Sequence, residues 1–284
     1  MDPLASSLLD LVYELRDAAV PLTVGGGYGL YLKRRHIEQL GLRTLLDRLP
    51  ETRSTNDLDL FLRAEVLADV GRTEQLAAAI ARLGYEPVPE ARYLQWRRQV
   101  EIGPVMQEVK IDLLVGPLGQ YREALRVKSP RARPKGDVKL HAHCVEEAIG
   151  LERRPIGIRL EGCRIGGEAY SGEVFVPQAF PYLMMKLCAF RDRKDDPRKD
   201  AGRHHALDLY NIVGMMTEEE YEAALDLGRR HREDPRIADV RGVVGEHFSD
   251  PTALGILRLR EHPLWRPEFQ LDEFVAVLSE VFEI

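Results

Sequence analysis

The stretch RSTNDLDLFL, residues 53–62, decides how the rest of the chain is read. Asp57 and Asp59 alternate with Leu58, Leu60 and Leu62, so on a pleated strand both acids leave by one face while the leucines enter a core. Two carboxylates a few Å apart repel unless a proton or a cation lies between them, and a hard divalent ion such as Mg²⁺ suits a site of that kind. The same pattern fits a strand end whose acids are merely solvated or ion-paired. The surrounding chain has to choose between the two.

Upstream, LTV at 22–24 reads as a short strand running into Gly25, Gly26 and Gly27, followed by the apolar helix pattern YGLYLKRR. Backbone amides can approach a phosphate at such a junction. It is also the form of an ordinary tight turn, and it has neither a Walker lysine nor GxGxxG spacing. Leu8, Leu9, Val12, Leu15 and Ala19 predict an amphipathic helix over 4–19, broken by Pro21. A further helix is expected over 36–49, ending at Pro50.

Downstream, residues 64–85 read as one or two helices, and LQWRRQV (94–100) and VMQEVKIDLLV (105–115) as adjacent strands. The second sets Val109, Ile111 and Leu113 against Lys110 and Asp112, so Asp112 is a third carboxylate on a polar strand face. The βαβ order implies an α/β sheet with acids at a strand tip. Residues 116–155 show no clean period; within them His141, His143 and Cys144 look like metal ligands but lack a second cluster at zinc spacing. Strands are expected at 156–160 and 173–176, and Pro177 closes the β-rich part.

From there the pattern is helical, at 178–192, in a helix that follows a charged connection and carries Lys199, Asp200, His204, His205 and Asp208, and at 217–230, 236–247, 251–260 and 271–282. The expected fold class is therefore α/β (α+β), a mixed sheet flanked by helices over 1–176 and a helical domain over 177–284. Adjacent His204 and His205 cannot share a helix face and are read as phosphate or surface contacts.

The net charge of −6 argues against a protein that coats nucleic acid through bulk positive charge. Two basic runs, Arg122 to Lys139 and Arg191 to Arg203, could contact phosphates or form solvated faces. Three cysteines without CxxC spacing fit reduced thiols. No long apolar run or secretory signal is evident, so a cytoplasmic protein with no membrane partner is expected.

Taken together, VGGGYGLYL, RSTNDLDLFL, KIDLLV, PYLMMKLCAFRDR and KDAGRHHALDLY resemble the nucleotidyltransferase superfamily, and within it the AbiEii/AbiGii toxin family. The resemblance implies a nucleotidyltransferase fold and a glycine motif at Gly26 and Gly27. It also implies a DxD motif at Asp57 and Asp59 preceded by Arg53 and Thr55, a helical lysine at Lys186 and an aspartate on the next helix at Asp208. The chain departs from the family pattern by a long insertion between Gly27 and Arg53, and by a third glycine and Tyr28 where a small hydroxyl residue is usual.

The implied activity is transfer of NMP from an NTP to an acceptor hydroxyl, with tRNA favoured as acceptor, in a toxin-like enzyme that could have a cognate antitoxin protein. Asp57 and Asp59 would hold Mg²⁺ (or Mn²⁺), and Asp112 would ligate a second metal or deprotonate the acceptor. Gly26, Gly27, Thr55 and Lys186 would meet the nucleotide, and Asp208 would anchor Lys186 or a basic neighbour. Alternatives are a small-molecule nucleotidyltransferase of the aminoglycoside-modifying kind, which needs an acidic acceptor pocket, and a non-catalytic scaffold that binds RNA or a protein.

Overall fold

A computed structural model describes residues 2–52, 55–102 and 104–284. The chain is a mixed α/β protein: a mixed sheet flanked by helices, with a helical C-terminal region. It divides into two compact units, and the described residues of the first are 2–29, 55–102, 104–146 and 154–177. The second gathers 30–52, 147–153 and 178–284, so two segments that precede Pro177 cluster with the C-terminal helices.

In the first unit, α1 (Pro3–Glu14) leads to β1 (Thr23–Val24) and to α2 (Gly26–Leu40), whose later turns belong to the second unit. Then follow β2 (Asp57–Leu62), α3 (Ala64–Ala68), α4 (Val70–Arg82), β3 (Glu86–Pro87), β4 (Gln95–Ile102) and β5 (Val105–Val115). The region without a sequence period holds β6 (Leu125–Lys128), β7 (Arg131–Pro134) and β8 (Ala142–Cys144), and β9 (Ile156–Cys163) and β10 (Ala169–Val176) complete the set. Among the described residues these strands form one sheet, ordered β6-β7-β8-β5-β2-β1-β10-β9, with β4 on β5 and β3 on β4.

Pairing register sorts the side chains, because registered partners share a face. Val24 lies opposite Leu60, Leu58 opposite Ile111 and Leu60 opposite Leu113, and all five are buried. This apolar face is covered by α1, with Leu9 against Gly162 of β9 and Val12 against Gly172 of β10. Asp2 caps α1 by accepting from the Leu4 amide, and Asp69 ends α3 and caps α4 through the Arg72 amide, which is why 64–85 is two helices.

The second unit packs α5 (Ala179–Arg193), α6 (Arg203–Gly214), α7 (Glu218–Arg230), α8 (Pro235–His247), α9 (Leu254–Arg260) and α10 (Leu271–Phe282) around Phe180, Leu187, Tyr210, Phe248 and Phe274. The helix expected over 36–49 is not formed. Instead α2 continues unbroken to Leu40 and stops at Gly41, whose φ of +61° suits glycine, with the Leu42 amide bonded back to the Ile37 carbonyl. Beyond it the chain satisfies its backbone elsewhere: Leu45 and Leu46 amides donate to the Met216 and Gly214 carbonyls, and Leu46 is buried. Among the described residues no helix is long and apolar enough to cross a membrane.

Candidate functional site

The other face of the sheet is polar. Asp57 is registered with Lys110 and Asp59 with Asp112 on the parallel pair β2–β5, and Gln95 of β4 lies opposite Asp112. Asp57, Asp59 and Asp112 therefore share one face, half-buried, while their neighbours Leu58, Leu60, Ile111 and Leu113 are fully inside. Gln95 Nε2 donates to Asp112 Oδ1 at 2.7 Å. Burial pushes the Asp112 carboxyl above the usual range and the Asp57 charge adds to that, while the Gln95 hydrogen bond and Lys110 pull it back. Thr55 Oγ1 accepts from the Asp57 amide at 3.3 Å and so shapes the entry to β2. Arg53 lies outside the described residues.

The glycines have steric reasons to be there. The Gly25 amide donates to the Asp59 carbonyl at 2.7 Å, which carries the β1–β2 pairing one residue further. A Cβ at Gly25 would sit 2.5 Å from the Phe61 ring, and one at Gly26 would overlap the Asp59 carboxylate, with Asp59 Cγ at 2.7 Å. Gly26 also has a φ of +59° and is the first residue of α2. The Asp59 carboxylate thus rests on the bare start of a helix, where a negative charge is favoured by the backbone dipoles. Gly27 is buried in the same first turn.

Lys186 and Asp208 belong to the helical unit. Lys186 of α5 donates to Asp208 Oδ2 of α6 at 2.6 Å, with side-chain exposures of 9% and 2%. A second buried pair lies in the same unit, Lys33 of α2 with Glu220 of α7 at 2.6 Å. Glu220 also completes a capping box with Thr217. Neither Lys33 nor Gln95 stood out in the sequence; each owes its role to a partner distant along the chain.

Other expectations are corrected. His205 is buried against Arg193, at 2.6 Å, and is not a surface contact, whereas His204 is exposed and meets His262 at 2.9 Å. The Leu264 amide donates to His262 Nδ1, so a neutral His262 carries its proton on Nε2 and donates it to His204 Nδ1. His141, His143 and Cys144 do not converge: His141 is buried against Arg131, His143 is exposed, and Cys144 donates to Glu146.

Among the described residues no group of three or more His, Cys, Asp or Glu side chains is gathered to hold a metal ion. Mg²⁺ in nucleotide sites takes one or two carboxylates, with phosphates and water as its other ligands. Asp57 and Asp59 provide that donor set, and Asp112 stands beside them. No family model matches the chain, and no curated protein matches it.

Proposed function

We propose that the protein is a nucleotidyltransferase of the AbiEii/AbiGii toxin kind that moves NMP from an NTP to an acceptor hydroxyl with release of pyrophosphate, with tRNA as the favoured acceptor. The observation that carries the reading is the register of Asp59 with Asp112, with Asp57 on the same face and Gly26 against the Asp59 carboxylate. Such transfer asks little covalent chemistry of a protein and much positioning and charge neutralisation.

Asp57 and Asp59 would hold Mg²⁺, which when bound offsets the charge of the triphosphate. The first turn of α2 at Gly26 and Gly27 offers backbone amides to phosphate oxygens. Asp112, oriented by Gln95, takes the proton of the acceptor hydroxyl or contributes to a second ion. Lys186, held by Asp208 within the helical unit, is the lysine that the resemblance assigns to the nucleotide.

The test is incubation with labelled NTPs, Mg²⁺ and total RNA, comparing wild type with Asp57→Ala and Lys186→Ala. Label should pass to RNA with wild type alone. Absence of transfer for every nucleotide, or transfer that survives Asp57→Ala, overturns the reading.

A further inference from the structure

Register extends the polar face beyond the acids. Leu114, two residues on from Asp112, is partnered with His143 of β8; His143 is partnered with Arg131 of β7; and Arg131 is partnered with Lys128 of β6. Arg126 and Arg133 form the next cross-strand pair in the same alternation. The face that carries Asp57, Asp59 and Asp112 therefore also carries four cations, while Ala132 and Ala142 point the other way and are buried. From β5, which carries Asp112, to β6 there are three strand intervals, about 14 Å.

Two features set this patch apart. Like charges directly opposite on paired strands are destabilising, yet Arg126 faces Arg133 and Lys128 faces Arg131. Among the described residues Arg126, Lys128 and Arg133 make no ion pair and all are exposed, as are Lys135 and Lys139 nearby. The other basic run differs: Arg191, Lys194, Arg198 and Arg203 are each paired with an aspartate close in sequence. Beside the patch Arg131 bonds both the Arg92 carbonyl and His141, and the Arg92 guanidinium lies over the Tyr93 ring. Burial chiefly holds the His141 imidazole down at about 4, and Arg131 and Arg133 add to that.

We infer that the β6–β7 hairpin is the docking surface for the phosphate backbone of a nucleic acid whose end lies over Asp112. The inference builds on the nucleotidyl-transfer reading, because it supplies that reading's acceptor. The cations form a strip across neighbouring strands, which suits a chain of phosphates; a small cationic acceptor would be repelled. At about 3.4 Å of rise per nucleotide, about 14 Å corresponds to about four nucleotides.

The test is fluorescence anisotropy with fluorescein-labelled unfractionated tRNA as probe, from 50 to 200 mM salt. The proteins compared are wild type, Arg126→Gln/Lys128→Gln/Arg133→Gln, the charge-conserving Arg126→Lys/Arg133→Lys, and a control that loses as much charge from the helical unit, Arg43→Gln/Arg153→Gln/Arg260→Gln. The hairpin triple variant should weaken binding at least tenfold and flatten the salt slope by about 2, at about 0.7–0.9 for each phosphate that is no longer neutralised. The lysine variant and the control should stay near wild type. Equal binding by the two triple variants overturns the inference, as does displacement of tRNA by poly-glutamate at equal charge, which would assign the patch to an acidic protein. A melting curve for each variant keeps loss of fold separate. If hairpin-dependent binding is seen without label transfer, the chemistry fails and the surface stands; label transfer at the wild-type rate by the hairpin triple variant gives the reverse.

Discussion

Lys186 Nζ and Asp208 Oδ2 lie 2.6 Å apart inside the helical unit, on consecutive helices, both almost withdrawn from solvent. Removing one partner strands a buried charge. Asp208→Ala and Lys186→Met should each cost about 3–5 kcal/mol of stability, and Lys186→Met/Asp208→Leu less than the sum. Urea denaturation measures this; single variants within about 1 kcal/mol of wild type would mean that the pair is well hydrated.

Gly26 and Gly41 have nearly the same φ, +59° and +61°, but different surroundings. A Cβ at Gly41 meets nothing within 4 Å, whereas one at Gly26 overlaps the Asp59 carboxylate. Gly41→Ala should cost about 1–2 kcal/mol from backbone strain alone. Gly26→Ala should cost a further 1–3 kcal/mol, roughly, from overpacking. Equal melting shifts for the two variants would show that Asp59 moves aside freely.

The pH dependence of stability should carry the mark of His141. Its folded-state pKa of about 4 lies below the ordinary value of 6.5, so between these values the unfolded chain binds more protons than the folded one. Stability from this group is complete above about 6.5 and is lost as pH falls toward about 4. His141→Gln should flatten that part of the profile in denaturant titrations. By NMR, the imidazole pKa should rise when tRNA is added, because phosphates would compensate Arg131 and Arg133.

Thr217 and Glu220 share a capping box, and Glu220 also holds Lys33. Thr217→Ala should cost about 1 kcal/mol, the usual loss of a helix cap. Glu220→Ala should cost more, about 3–5 kcal/mol, because Lys33 is left buried and unpaired. A Glu220→Ala loss no larger than that of Thr217→Ala would sink this ranking.

Much of the fold could be read from local pattern. Alternation gave β2 and β5 and assigned Leu58 and Ile111 to the core, and Pro177 marked the passage from strands to helices. Three of the acids could be found because each stands in a clean apolar alternation. What could not be read depended on distant partners. The stretch after Gly41 has a helix-like pattern, but its backbone amides are claimed by the end of α6, and no local propensity encodes that. The alignment of Arg126 and Arg133 with the acids runs through β8, three residues long, within a stretch that showed no period. Gln95 acquires its role only from lying opposite Asp112.

The strand β1 has consequences beyond its size. With the flanking Leu22 carbonyl, bonded by the Phe175 amide, and the Gly25 amide, bonded to the Asp59 carbonyl, its two residues join β2 and its neighbours to the β10–β9 hairpin by a short run of backbone. The helix α1 also spans this seam: it touches β5, β9 and β10, and its Asp10 pairs with both Arg98 of β4 and Arg164. The sheet is in effect two sheets with α1 as a fastening on one face and a short backbone stitch between them. Amides of β9 and β10 should exchange with deuterium as a block separate from those of β2 and β5, and removing α1 should free the hairpin first, leaving the acids and the cations still aligned with one another.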